Sequence, residues 1–150
     1  MKVIFLDFDG VLNHQELFLQ RHLEGGGDPD DAIDPACVER LNRLIQETGA
    51  KVVVSSTWRI LKTLDVLQEI LDKRGFVGEL IGKTTTDDLG CRGNQIAEWL
   101  SHNEVDSFVI LDDDSDMGDL IDHLVRTDIR NGLLDEHVLE AINILSAEVA

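Results

Sequence analysis

The chain has little of what marks secreted, metal-clustered or membrane proteins. Its 150 residues include only two cysteines, Cys37 and Cys91, which lack the CxxC spacing of zinc sites and redox motifs. Its longest apolar runs are about four residues, whereas a helix that spans a bilayer needs about 20. We therefore expect a cytoplasmic protein without a disulfide framework, a membrane segment or an export signal.

Basic residues are also scarce, because 13 Lys and Arg stand against 30 Asp and Glu, for a net charge of −17. This charge argues against proteins that coat duplex nucleic acid or bind membranes through a polybasic segment. The 43% hydrophobic content, with only two prolines, is too high for a disordered chain. The sequence predicts one domain over 1–150, in which an anionic substrate meets a local basic patch or a bound cation.

Hydrophobic patterning predicts alternating strands and helices. Strands without polar alternation are buried on both faces, and strand–helix–strand connections of this length favour parallel pairing. We therefore predict an α/β fold, a three-layer α/β sandwich around a mostly parallel, Rossmann-like sheet. Predicted strands lie in 2–10, 51–56 and 107–114, with weaker ones at 77–81 and 124–127. Predicted helices lie in 35–48, 60–71, 92–100, 120–124 and 135–149, and predicted loops in 23–33 and 84–93.

Polar residues follow the three strong strands, where parallel strands bring their carboxyl ends to one edge of the sheet. Two aspartates one residue apart, as in the DFD of 7–9, repel each other unless a cation or a proton separates their roles. Oxygen ligands with open positions suit Mg²⁺ and a substrate phosphate. The residues that should converge there are Asp7, Asp9, Ser55, Ser56, Asp112 and Asp113.

The segments DFDGVLN, VVVSSTWR and VILDDDSD, in this order, resemble the haloacid dehalogenase (HAD) superfamily of phosphotransferases. The later CRGNQIAEWL and the ending HLVRTDIRNGLLDEHVLEAI are similar to the capless HAD domains of Swiss-army-knife RNA-repair proteins. The resemblance covers nearly the whole chain. About 25 residues separate Asp9 from the helix at 35–48, which allows a short flap around 10–34 and no cap domain.

The resemblance implies a role for each acid of the predicted site. Asp7 would be the nucleophile that becomes an aspartyl-phosphate, and Asp9 the acid that protonates the leaving group and later activates water. Mg²⁺ would be held by Asp7, by the backbone carbonyl of Asp9 and by Asp112 or Asp113. The sequence favours neither of these last two acids over the other. Asp116 is a supporting candidate.

The other predicted site residues are hydroxyls and cations. Ser55 or Ser56 would bind the transferring phosphoryl group, or one of them caps the following helix. The cation that offsets the phosphate charge is Arg92 or Lys83. We prefer Arg92, since it begins a helix whose amides could face the same phosphate.

Residues beside the two motifs complete the predicted substrate site. Gly10 directly follows the DFD aspartates, Asn13 lies just past DFDGVL, and Arg59 follows the serines. We expect all three to contact substrate, whereas Trp58 is expected to belong to the core.

These residues predict a Mg²⁺-dependent phosphomonoester hydrolase acting on nucleotide or polynucleotide phosphate ends, the nucleic-acid part resting on the resemblance alone. One alternative substrate is a small phosphorylated metabolite. Another alternative is a regulatory module, similar to response-regulator receivers, that binds Mg²⁺ and accepts a phosphoryl group without turnover. The sequence leaves the physiological substrate and the oligomeric state open.

Overall fold

An all-parallel sheet of five strands organises the computed structural model, which describes residues 1–147 apart from the side chain of Asp30. Its strand order is β3-β2-β1-β4-β5. This arrangement confirms the predicted α/β class and both of the weaker strands. The strands are β1 (Lys2–Leu6), β2 (Lys51–Val54), β3 (Leu80–Lys83), β4 (Ser107–Asp112) and β5 (Leu124–Arg126).

Within residues 1–147, five α-helices and three short 3₁₀ helices accompany the sheet. Residues 120–123 of the helix predicted at 120–124 form the end of a 3₁₀ helix, and Leu124 begins β5. Val149, in the last predicted helix, lies outside the described residues. Within the described residues, no helix is both long enough and apolar enough to cross a bilayer. The α-helices are α1 (Gln15–Leu23), α2 (Pro35–Thr48), α3 (Leu64–Asp72), α4 (Arg92–Ser101) and α5 (Asp135–Ser146). The 3₁₀ helices are Pro29–Asp31, Thr57–Arg59 and Gly118–His123.

Alternate residues of each strand face opposite sides of the sheet, and both sides are covered. Ile4 and Leu6 of β1 pack in a buried cluster with side chains of α2, α3 and α5. Val3 and Phe5 pack on the other side with Ile96 of α4. Because every one of these strand residues is buried, the sequence shows the continuous apolar run that a central parallel strand requires.

The register of the central strand aligns the ends of its neighbours. Leu6 pairs with Val54 of β2 and with Leu111 of β4. The pairing extends one step further, since the Asp7 amide donates to the Leu111 carbonyl at 3.0 Å and the Ser55 amide to the Leu6 carbonyl at 2.9 Å. Asp7, Ser55 and Asp112 therefore leave the sheet side by side.

The predicted flap at 10–34 contains helix α1, which the sequence analysis did not predict. None of the residues of α1 is buried, so the helix has no core-facing apolar stripe by which periodicity detects helices. His14 caps it by accepting a hydrogen bond from the Leu17 amide at 3.3 Å. The same imidazole contacts Asp34 at 2.6 Å and so ties α1 to the start of α2.

Gly93 is the contact point between α4 and the loop after β4. A Cβ atom at this position would lie 1.9 Å from the Met117 carbonyl oxygen, a backbone atom. We predict that Gly93→Ala lowers the free energy of unfolding by about 1–3 kcal/mol, because backbone has to move to accept the methyl group. Urea unfolding followed by circular dichroism measures this loss. Ala97→Ser, on the exposed side of the same helix, is the control. Equal stability of the two variants would contradict the contact.

Candidate active site

Three aspartates form a cluster at the carboxyl edge of the sheet. Asp7, Asp112 and Asp113 each offer a carboxylate oxygen, and these oxygens lie within 4.8 Å of one another. Asp7 and Asp112 are buried, and Asp113 is half-buried. Negative charges this close in a poorly hydrated place need a proton or a cation between them.

The pKa values of these acids reflect that environment. Burial, followed by the neighbouring Asp112 carboxylate, raises the pKa of Asp7 to about 8, although Arg92 opposes the shift. Burial also raises the pKa of Asp112. A divalent cation that binds such a carboxyl group displaces its proton.

The donor set fits a hard divalent cation such as Mg²⁺. All three clustered ligands are carboxylates, the ligand type that Mg²⁺ and Ca²⁺ prefer. The Oδ1 atom of Asp112 accepts a hydrogen bond from the Asp114 amide at 3.0 Å. Its buried Oδ2 atom has no hydrogen-bond partner among the described residues. Positive charge is favourable beside a buried carboxylate oxygen that accepts no hydrogen bond, and the Arg92 guanidinium supplies part of it here.

Arg92 is the cation that the fold brings to this cluster. Its Nε atom lies 3.4 Å from Asp112 Oδ2, and its buried Nη1 atom has no hydrogen-bond partner in the part of the chain that is described. Lys83 instead donates from Nζ to the carbonyls of Arg59, at 3.3 Å, and Lys62, at 3.2 Å. Of the two predicted cations, Arg92 is the one that forms an ion pair with an acid of the cluster, Asp112.

The amides at the start of α4 are occupied by Asp116, so the expectation that they face a phosphate is corrected. The Arg92 amide donates to Asp116 Oδ2 at 3.3 Å, and the Gly93 amide donates to the Asp116 carbonyl at 3.0 Å. Asp116 therefore caps α4 and does not join the three clustered carboxylates.

Asp9 lies beside the cluster, and its side chain is not part of it. Its exposed carboxylate accepts hydrogen bonds from Asn13 Nδ2 at 2.9 Å and from the Trp58 indole at 3.2 Å. Asn13 is fully buried and also donates to the Ala32 carbonyl at 3.0 Å. Asn13 therefore positions Asp9, and its expected contact with substrate is corrected to this role.

Gly10 has the same kind of structural role. Its φ angle is +80°, and a Cβ atom there would lie 2.4 Å from the Asp113 carboxylate. Its amide donates to Asn13 Oδ1 at 2.9 Å, and its carbonyl accepts from Thr127 Oγ1 at 2.7 Å. Gly10 makes room for Asp113, and its peptide groups are bonded to protein. Thr127, which the sequence analysis missed, contributes to that support.

The two serines after β2 have different environments. Ser56 Oγ accepts a hydrogen bond from the Trp58 amide at 3.2 Å and caps the Thr57–Arg59 helix. Ser55 is fully buried, and its hydroxyl has no hydrogen-bond partner among the described residues. Ser56 is thus the cap that the sequence analysis considered, and Ser55 has the hydroxyl available for a ligand.

Arg59 does not match its expected role in substrate binding. It is only 3% exposed, and burial, followed by the nearby Arg92, lowers the pKa of its guanidinium. Its five N–H groups donate at 2.8–3.2 Å to the carbonyls of Thr84, Ser55, Ser56 and Thr85 and to Gln95 Oε1. All five guanidinium donors are therefore used within the protein, and Arg59 ties together the loops after β2 and β3.

A groove of about 520 Å³ opens beside Asp9. Phe18 and Arg21 of α1 line it together with Trp58, Leu61 and Lys62. Trp58 is half-buried, and its ring meets Phe8 edge-on with centroids 5.2 Å apart. Trp58 was expected in the core, and it both touches the core and borders this groove. The sequence analysis missed Phe18 because it did not detect α1.

A second group, His14, Asp34 and Cys37, also has ligand-type atoms close together. The two ring nitrogens of His14 are engaged by the Leu17 amide and by Asp34. Burial, followed by Asp34, raises the pKa of the Cys37 thiol, which disfavours the thiolate that metals bind. This group is therefore explained by helix capping.

Residues 3–138 match the family described as "HAD domain in Swiss Army Knife RNA repair proteins". The chain belongs to this family. The match includes all five strands and every acid of the site, and it confirms the HAD resemblance and the capless fold. Membership makes this protein a HAD-type hydrolase in general. No curated protein matches the chain.

The charge of Asp7 gives a testable dependence of stability on pH in EDTA. Burial raises the pKa of Asp7 from its ordinary value of 3.8 in the unfolded chain to about 8 in the folded one. Between these values the folded state holds a proton that the unfolded state has lost, so this group makes the free energy of unfolding fall as pH rises. We predict that Asp7→Asn removes this contribution and gains stability relative to wild type between pH 5 and 8.

Urea unfolding at the two pH values measures the effect. Glu39→Gln, an exposed acid of α2, controls for the loss of one negative charge. If Asp7→Asn and Glu39→Gln changed stability equally at both pH values, the raised pKa of Asp7 would be excluded.

Proposed function

We propose that the protein is a Mg²⁺-dependent phosphomonoester hydrolase that acts through an aspartyl-phosphate on Asp7. The observation that carries this proposal is the cluster of Asp7, Asp112 and Asp113, with Ser55 and Arg92 at the same edge. Membership of the HAD family supports the reaction class.

The residues that would hold Mg²⁺ are Asp7, Asp112 and Asp113, with the backbone carbonyl of Asp9 as a further ligand. When bound, Mg²⁺ would neutralise carboxylate and phosphate charge, so that the two anions can approach each other. The buried Ser55 hydroxyl and the Arg92 guanidinium supply donors for the phosphoryl oxygens.

In the first step, a carboxylate oxygen of Asp7 attacks phosphorus while the bond from phosphorus to the leaving oxygen breaks. Asp9 gives its proton to that oxygen and becomes a carboxylate. In the second step, Asp9 takes a proton from water as the water oxygen attacks the aspartyl-phosphate. Asp7 is released with inorganic phosphate, and Asp9 is protonated again. Asn13 and Trp58 orient Asp9 for both transfers.

We propose nucleotide or polynucleotide phosphate ends as the substrate class. The family's description as RNA-repair domains supports this class. The fold has only α1 and the Pro29–Asp31 helix between β1 and α2, which leaves the site accessible to a large molecule. The net charge of −17 disfavours a long nucleic-acid track, so we propose that an end binds and no extended tract does.

Asp7→Asn tests the nucleophile. We predict no detectable phosphate release by this variant from a panel of nucleotides, sugar phosphates, an aryl phosphate and oligonucleotides phosphorylated at the 5′ or 3′ end. The amide is nearly isosteric with the carboxylate and is a poor nucleophile. Repeated turnover by wild type, lost in EDTA and retained by Glu39→Gln, is the expected control result.

Two results would contradict this function. Full activity of Asp7→Asn would remove Asp7 from the nucleophile role. Labelling of one phosphoryl group per wild-type chain by a small phosphodonor, with no turnover of any substrate in the panel, would indicate the regulatory module.

A second pair of variants ranks the two cations. We predict that Arg92→Ala lowers kcat by about 10²–10³-fold, the usual cost of losing a donor to developing charge. Lys83→Ala should change kcat much less, because its ammonium is bonded to the Arg59 and Lys62 carbonyls. Steady-state kinetics on the best substrate of the panel measures both. The reverse ranking would assign the phosphate to Lys83.

A further inference from the structure

We propose that the groove beside Asp9 is a leaving-group subsite for a planar aromatic ring, which Phe18 and Trp58 contact. The groove lies between α1 and residues 57–62. This inference rests on the proposed hydrolase function, and it adds which part of the substrate the protein selects.

The first argument is the unusual exposure of apolar side chains around the groove. Phe18 is 38% exposed and Leu61 is 91% exposed, although both are large hydrophobic residues that line it. No residue of α1 is buried, so this helix contributes no side chain to the buried core. A concave surface with clustered exposed apolar groups is typical of a ligand site.

The second argument is the connection between the groove and the proposed acid. The Trp58 indole N–H lies 3.2 Å from both carboxylate oxygens of Asp9. Since Asp9 would protonate the leaving oxygen, that oxygen has to be near the edge of the Trp58 ring. A ring attached to the leaving group would therefore enter the groove, where tryptophan and phenylalanine offer aromatic surface.

The third argument is local charge. Arg21 and Lys62 both line the groove, and Lys62 Nζ lies 5.7 Å from the centroid of the Trp58 ring. These cations locally oppose the negative field of a chain with a net charge of −17. They favour a ligand that carries anionic oxygen as well as a ring. A phosphorylated nucleoside and an aryl phosphate share this chemistry.

Binding to the inactive Asp7→Asn protein in Mg²⁺ tests the subsite without turnover. Titration calorimetry compares adenosine 5′-monophosphate with ribose 5-phosphate, which lacks the ring. We expect about 5- to 150-fold tighter binding of the nucleotide, because its base stacks on the aromatic side chains of the groove. Phe18→Ala, added to Asp7→Asn, should remove most of this preference and leave the affinity for ribose 5-phosphate unchanged.

Leu19→Ala is the matched control, since Leu19 is on the same helix, is 59% exposed and does not line the groove. We expect this variant to keep the preference for the nucleotide. Equal affinities for the two ligands, or equal effects of Phe18→Ala and Leu19→Ala, would overturn the subsite.

Turnover by otherwise wild-type protein identifies the source of the ring and separates the two proposals. Phe18→Ala should lower kcat/KM for the nucleotide and 4-nitrophenyl phosphate if any ring is accepted, and for the nucleotide alone if a nucleoside is required. Turnover of all substrates with no effect of Phe18→Ala would keep the hydrolase and overturn the subsite. A ring preference in binding without any phosphate release would keep the subsite and overturn the hydrolase.

Discussion

Repulsion among Asp7, Asp112 and Asp113 is the constraint on which the site depends. The parallel register creates it, because Leu6 pairs with Leu111 and the next residue of each strand is an aspartate. Burial, followed by repulsion from the Asp112 carboxylate, raises the pKa of Asp7 to about 8. Burying these carboxylates costs free energy and adds no apolar packing. The cluster is therefore a place where positive charge is favourable. The Arg92 guanidinium supplies part of that charge.

The loops around the cluster are held by buried polar side chains that do no chemistry themselves. Arg59 donates to carbonyls in the loops after β2 and β3, and Asn13 joins Gly10, Asp9 and Ala32. Loop carbonyls without strand partners are costly when buried unless a donor reaches them. The bonds that satisfy these groups also fix the positions of Ser55 and Asp9, so stability of the loops and geometry of the site have the same source.

Because the same side chains stabilise the loops and position the site, the sequence could predict some features and not others. The strands were predictable because burial on both faces leaves an uninterrupted apolar run, and the acids because they directly follow those runs. The roles of Arg59 and Asn13 were not predictable. The sequence shows that a polar residue lies beside a motif, but not whether its side chain faces substrate or a buried backbone group. Helix α1 was not predictable either. It has no buried face, so its sequence lacks the helical periodicity of apolar residues.

The same property of α1 has a consequence for selectivity in a capless fold. Helix α1 contributes no buried side chain, and polar contacts tie it to the rest of the protein: His14 with Asp34, and the Gln15 amide with the Ile129 carbonyl. Its outer surface is then under little constraint from folding and can vary with the ligand. Strand register fixes the positions of the acids. Phe18, in contrast, belongs to α1, which lines the groove beside Asp9. The proposed phosphate chemistry and the proposed choice of leaving group therefore reside in separate parts of the chain, which meet at Asp9.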